Sequence, residues 1–146
     1  MEEKKTSDKE NTFPVHFSLG ESENNISIST NNSSKLSKEQ IINQAFHLHS
    51  KGNIQEAAKY YQLFISQGFS DPRVLSNYGE VLKILGKLEE AELSLRNAIK
   101  IEPDYVNAYY NLGNILKDRG RLKEAELLLR KAIELKPDFT NAYLNL

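Results

Sequence analysis

From Ser37 to Leu135 the apolar residues return every three or four positions, the spacing of a helix face, and glycines and prolines interrupt the pattern at regular places. Ile41, Ile42, Ala45, Phe46 and Leu48 form the first such stripe, introduced by Ser37-Lys38-Glu39-Gln40, which has the form of a capping box. Gly52 supplies the left-handed residue that ends this helix, and a second helix over residues 54–67 stops at Gly68. The pattern predicts two further helical hairpins, at about residues 73–101 and 106–135, turning at Gly86 and Gly120. Pro103 and Pro137 then break each second helix. Asp104 and Asp138, which follow them, are placed to cap the next helix.

Two of these stretches are near-copies. Residues 77–103 and 111–137 agree at about half their positions, with Gly79 on Gly113, Leu82 on Leu116, Gly86 on Gly120, Ala91 on Ala125, Ala98 on Ala132 and Pro103 on Pro137, each pair 34 residues apart. A fixed period of that size marks an all-α solenoid of stacked helical hairpins, none of which buries its apolar face alone. Carried back by one period, the register places Ala45, Leu48, Gly52 and Ala57 in a degenerate first copy. Small residues suit close helix crossings, with Ala45, Gly79 and Gly113 on one helix facing Ala57, Ala91 and Ala125 on the other. The chain therefore divides into a polar tail (1–36), a divergent first repeat (37–71), a second (72–105), a third (106–139) and the start of an incomplete fourth (140–146). The unfinished end favours a truncated portion of a longer protein, with self-association through the uncapped C-terminal end as the other reading.

The tail has scattered hydrophobic residues and no sustained period, so it reads as disordered. Within it, Phe13-Pro14-Val15-His16-Phe17 is either plain tail, the preferred reading, or a short linear motif. Asn25-Ile26-Ser27 and Asn32-Ser33-Ser34 fit a glycosylation acceptor by chance composition.

Charge and chemistry narrow the function. With 19 basic and 20 acidic residues and a net charge of −1, no global field draws nucleic acid or an anionic membrane. There is no cysteine, no apolar leader at the start and no run of about 18 apolar residues that would span a membrane, which makes a cytoplasmic protein the expectation. His47 and His49 lie on different helix faces and His16 in the tail, so no metal pair is expected. No phosphate loop or catalytic constellation is present, so neither enzymatic activity nor a cofactor is expected.

The repeats resemble the tetratricopeptide repeat, including the bacterial arrays and the superhelix of protein O-GlcNAc transferases. The signature small residues at the eighth, twentieth and twenty-seventh positions and the proline at the thirty-second correspond to Gly79, Ala91, Ala98 and Pro103, and to Gly113, Ala125, Ala132 and Pro137. The first repeat departs, with Phe64 and Phe69 at the last two of these positions. The resemblance implies a right-handed α-solenoid whose first helices line a concave groove for an extended peptide or a partner helix. Asn43, Asn77, Asn111 and Asn145 share one register on those helices, and a carboxamide can grip a peptide backbone regardless of sequence, as in the transferases' asparagine ladder. The alternative is that they bond the neighbouring repeat. Lys83 and Lys117, with Arg73 and Asn114, would make the groove mildly basic, and Tyr110 is a further candidate for its lining. Ile42, Asn107 and Asn111 stand where a carboxylate clamp needs basic residues, which argues against that mode. The expected function is a protein-interaction scaffold. The alternative is the substrate-recognition arm of a glycosyl-, sulfo- or methyltransferase whose catalytic part lies beyond this chain.

Overall fold

A computed structural model describes residues 35–146; the expectations for the tail fall almost wholly on residues 1–34, outside the described region. The described residues form seven helices: α1 (Lys38–Ser50), α2 (Ile54–Ser66), α3 (Pro72–Ile84), α4 (Leu88–Ile101), α5 (Val106–Asp118), α6 (Leu122–Leu135) and α7 (Thr140–Asn145). The first six pair as antiparallel hairpins stacked in chain order, an α-solenoid, and among the described residues no helix is long and apolar enough to cross a membrane.

Local chemistry sets the helix ends. Ser37 Oγ accepts from the Gln40 amide at 3.2 Å, and the Ser37 amide donates to Gln40 Oε1 at 2.8 Å, so the capping box closes as expected. Each hairpin turn holds a glycine at φ near +75°, as at Gly52, Gly86 and Gly120, a region that side-chain-bearing residues avoid.

The aspartate caps need correction. α5 begins after Tyr105 and α7 after Phe139, so Asp104 and Asp138 sit one residue too early and cap neither helix. The reason is the tight turn after each proline, in which the Tyr105 amide donates to the Glu102 carbonyl and the Phe139 amide to the Lys136 carbonyl. The cap expected of those residues occurs instead at α3. There Asp71 accepts from the Arg73 amide at 2.9 Å, ahead of Pro72, which has no amide to satisfy.

The small residues are required by distance. A Cβ built on Gly79 would lie 2.7 Å from Leu95 Cγ, and one on Gly113 would lie 2.9 Å from Leu129 Cγ. The glycines of α3 and α5 thus seat buried leucines of α4 and α6, one turn beyond the alanines expected to oppose them. We expect Gly79→Ala to destabilise by about 1–3 kcal/mol through overpacking, more than any gain in helix propensity. A urea midpoint unchanged or raised in this variant would refute the tight seat.

Two clusters form the core. One gathers Ile41, Ile42, Ala45, Ala57, Tyr61 and Phe64 with Val74 and Val81 of α3. The other joins Leu75, Leu82 and Leu95 to Ala108, Leu112, Ile115 and Leu116 across the second and third hairpins. The junctions between hairpins also differ. α3 packs directly on α5, whereas α1 and α3 make no comparable contact, and Phe64 meets Phe69 there with ring centroids 5.3 Å apart. The two phenylalanines fill the space that a small residue and a proline occupy elsewhere. At the other end α7 packs on α6 with Ala142 buried but leaves Tyr143 and Leu144 exposed, and Leu127 points outward in register with exposed Leu93.

Candidate functional site

Because α3 and α5 lie side by side while α4 and α6 hold apart, α3 and α5 form the inner face of the second and third hairpins. On that face a cleft of about 350 Å³ opens between α3 and α5, lined by Glu80, Lys83, Ile84, Tyr110, Asn111, Asn114 and Ile115. Four of the nine residues singled out from sequence meet there: Lys83, Tyr110, Asn111 and Asn114. Asn145 joins them from α7, its Nδ2 donating to the Tyr110 hydroxyl at 2.9 Å and to Asn114 Oδ1 at 3.0 Å. Lys117 Nζ donates to the Asn145 carbonyl at 3.1 Å. The Tyr110 ring stands edge-on to Phe139 with centroids 5.1 Å apart, which fixes the wall it contributes.

The remaining three lie apart. Asn43 is exposed and lines a separate cleft of about 410 Å³ with Leu36, Gln40, Gln44 and Tyr60. Asn77 is turned toward Tyr61, whose hydroxyl is pushed up to about 12 by burial and drawn partly back by a hydrogen bond with the Asn77 side chain. Arg73 is held at the start of α3 by Asp71, with contacts of 3.1 and 2.7 Å. That pairing keeps the Asp71 carboxyl below its usual range.

Taken together, the asparagines share a direction. Asn77 reaches back to Tyr61, Asn111 Nδ2 donates to Ser76 Oγ at 3.4 Å, and Asn145 reaches Tyr110 and Asn114, each in the preceding repeat. This leaves Asn111 Oδ1 as an acceptor and the Asn114 amide hydrogens as donors at the cleft.

The mildly basic character expected of the groove requires correction. Lys83 Nζ is 3.0 Å from Asp118 Oδ2, Arg73 is neutralised by Asp71, and Glu80 adds a carboxylate to the cleft itself. Sequence reasoning missed Glu80, Ile84 and Ile115. The available signal was helical spacing, since Asn77, Glu80 and Ile84 fall on one face.

A second polar cluster lies away from the cleft. Glu92 of α4, nine-tenths buried, pairs with Arg96 at 2.7 Å, with Arg121 at 2.9 Å and with Arg119. Glu124 joins Arg96 at 2.7 Å and Arg121 at 2.6 Å, so both carboxylates share the same arginines. The network ties α4 to the turn between α5 and α6. Among the described residues no group of three or more His, Asp or Glu side chains is arranged to hold a metal ion.

Residues 79–118 match the family model described as TPR repeat, and residues 106–139 match that described as Tetratricopeptide repeat. No curated protein matches the chain in sequence. Solved structures with the same fold include MamA, at 22% identity and a TM-score of 0.71 over 75% of this chain; the chain spans 64% of MamA's length. The first TPR domain of Spaghetti (RPAP3), bound to the HSP90 peptide SRMEEVD, is 21% identical with a TM-score of 0.71, covering 75% of this chain and 86% of its own. The Yersinia enterocolitica type III secretion chaperone SycD, in complex with a peptide of the translocator YopD, is 25% identical with a TM-score of 0.68, covering 74% and 88%.

Proposed function

We propose that the chain, whose residues 79–139 match models of the tetratricopeptide repeat, is a protein-interaction scaffold whose inner cleft binds an extended peptide. The observation that carries this reading is the pairing, within one cleft, of an asparagine acceptor and an asparagine donor beside exposed apolar surface from Ile84. A peptide backbone offers one N–H and one C=O per residue, which matches Asn111 Oδ1 and the Asn114 amide. The apolar surface gives a side chain somewhere to bury. Complexes of Spaghetti (RPAP3) and SycD with peptides support the same use of the fold.

The test begins with random dodecapeptides displayed on phage and selected on the full chain, followed by titration of the selected peptides. Asn111→Ala combined with Asn114→Ala is expected to weaken binding roughly tenfold, from two lost hydrogen bonds, while the melting temperature falls only modestly with the loss of the Ser76 and Asn145 contacts. Undiminished binding with a large fall in melting temperature would assign both residues to holding the repeats together and would refute the proposal.

A further inference from the structure

The cations on the inner face are already engaged. Lys83 pairs with Asp118 at 3.0 Å, Arg73 with Asp71 at 2.7 Å, and Lys117 donates to the Asn145 carbonyl at 3.1 Å. Glu80 differs from them. It is exposed, it lines the cleft, and it makes no ion pair among the described residues. Beside it in the lining stands Ile84, 58% exposed although apolar. An unneutralised carboxylate next to an open aliphatic surface is complementary to a cation carried near an apolar group.

Resting on the reading of this cleft as a peptide groove, we propose that it selects an extended peptide bearing a Lys or Arg side chain next to an aliphatic one. The cation pairs with Glu80 and the aliphatic group covers Ile84, while the peptide backbone meets Asn111 and Asn114. An acidic peptide is disfavoured at the same place. It faces Glu80 directly, and it gains Lys83 only by displacing Asp118. Charge at an exposed rim of this kind sets selectivity more than total affinity.

The experiment repeats the dodecapeptide selection on the full chain and on its Glu80→Lys variant, in parallel and at low salt. Because Glu80 is exposed, neither Glu80→Lys nor Glu80→Gln should disturb folding, which circular dichroism verifies. The unaltered chain is expected to enrich peptides with Lys or Arg beside Leu, Ile or Val, and Glu80→Lys to enrich Asp or Glu at that place. Glu80→Gln should weaken the basic peptides by up to about fivefold. Suppose the unaltered chain enriches acidic peptides, or the selected peptides bind Glu80→Lys equally well while the Asn111→Ala/Asn114→Ala variant loses them. Either result overturns the charge selectivity and leaves the groove reading standing. If no selected peptide depends on the two asparagines, the groove reading fails and this inference with it.

Discussion

Replacing Tyr61 with Ala is expected to lower stability by about 3–5 kcal/mol, the usual range for deleting a fully buried aromatic ring, and to do so in the first hairpin and the face of α3 packed on it. Tyr61 is 0% exposed. Its ring meets Phe46, His49 and Tyr78 with centroids 6.1, 5.9 and 6.0 Å away, and its hydroxyl lies 3.0 Å from His49 Nδ1. The substitution thus opens a cavity at the point where α1, α2 and α3 meet and also leaves His49 without its partner. A stacked array has no common core, so its stability is close to a sum of repeat terms and nearest-neighbour terms. The two clusters here share only the half-buried Tyr78. Hydrogen exchange followed by mass spectrometry should show residues 38–66 losing protection while residues 88–135 retain theirs. Loss spread evenly over both regions would mean that the array unfolds as one unit and would refute the division.

What the sequence conveyed well is what the period repeats. Gly79 and Gly113, or Gly86 and Gly120, have one structural job each in successive hairpins, so their recurrence exposed the turns and the tight crossings before any coordinate was needed. Residues that act at a single junction leave no such trace. Glu92 and Arg96 do recur one period later as Glu126 and Arg130, which also pair. Arg119 and Arg121, however, correspond one period earlier to Leu85 and Lys87, so register shows the pair within the helix and not the arginines that reach it from the next turn. Glu80 is hidden in the same way, because its counterparts are Phe46 and Asn114. The asparagine row shows a different limit. Periodicity establishes that Asn77, Asn111 and Asn145 are equivalent positions, but the direction of each carboxamide depends on the partner available in the preceding repeat, which is Tyr61, Ser76 or the pair Tyr110 and Asn114. The misplaced caps at Asp104 and Asp138 have a similar origin. A one-residue offset decides between cap and turn, and backbone hydrogen bonds set that offset.

At the junction of the second and third hairpins the ion network should matter most, and Glu92→Ala is expected to destabilise it by about 2–3 kcal/mol. Glu92 is the shared acceptor. Without it Arg96, Arg119 and Arg121 face one another with only Glu124 and Glu89 to balance them. The loss stays below the 3–5 kcal/mol of a fully buried pair because the arginines keep part of their hydration. Acid provides the mechanistic check. Burial alone would raise the Glu92 carboxyl, but the Arg96 and Arg121 hydrogen bonds outweigh it and hold it below the usual range, and Arg96 and Arg121 lower Glu124 likewise. A carboxyl whose folded pKa lies below its unfolded value stabilises fully above the unfolded value, and that contribution is lost as pH falls through the folded one. The melting temperature of the unaltered chain should therefore drop more steeply below the ordinary carboxylate range than that of Glu92→Ala, so that the two curves converge in acid. Parallel curves over that range would show that Glu92 acts by packing alone, since a packing defect carries no protons.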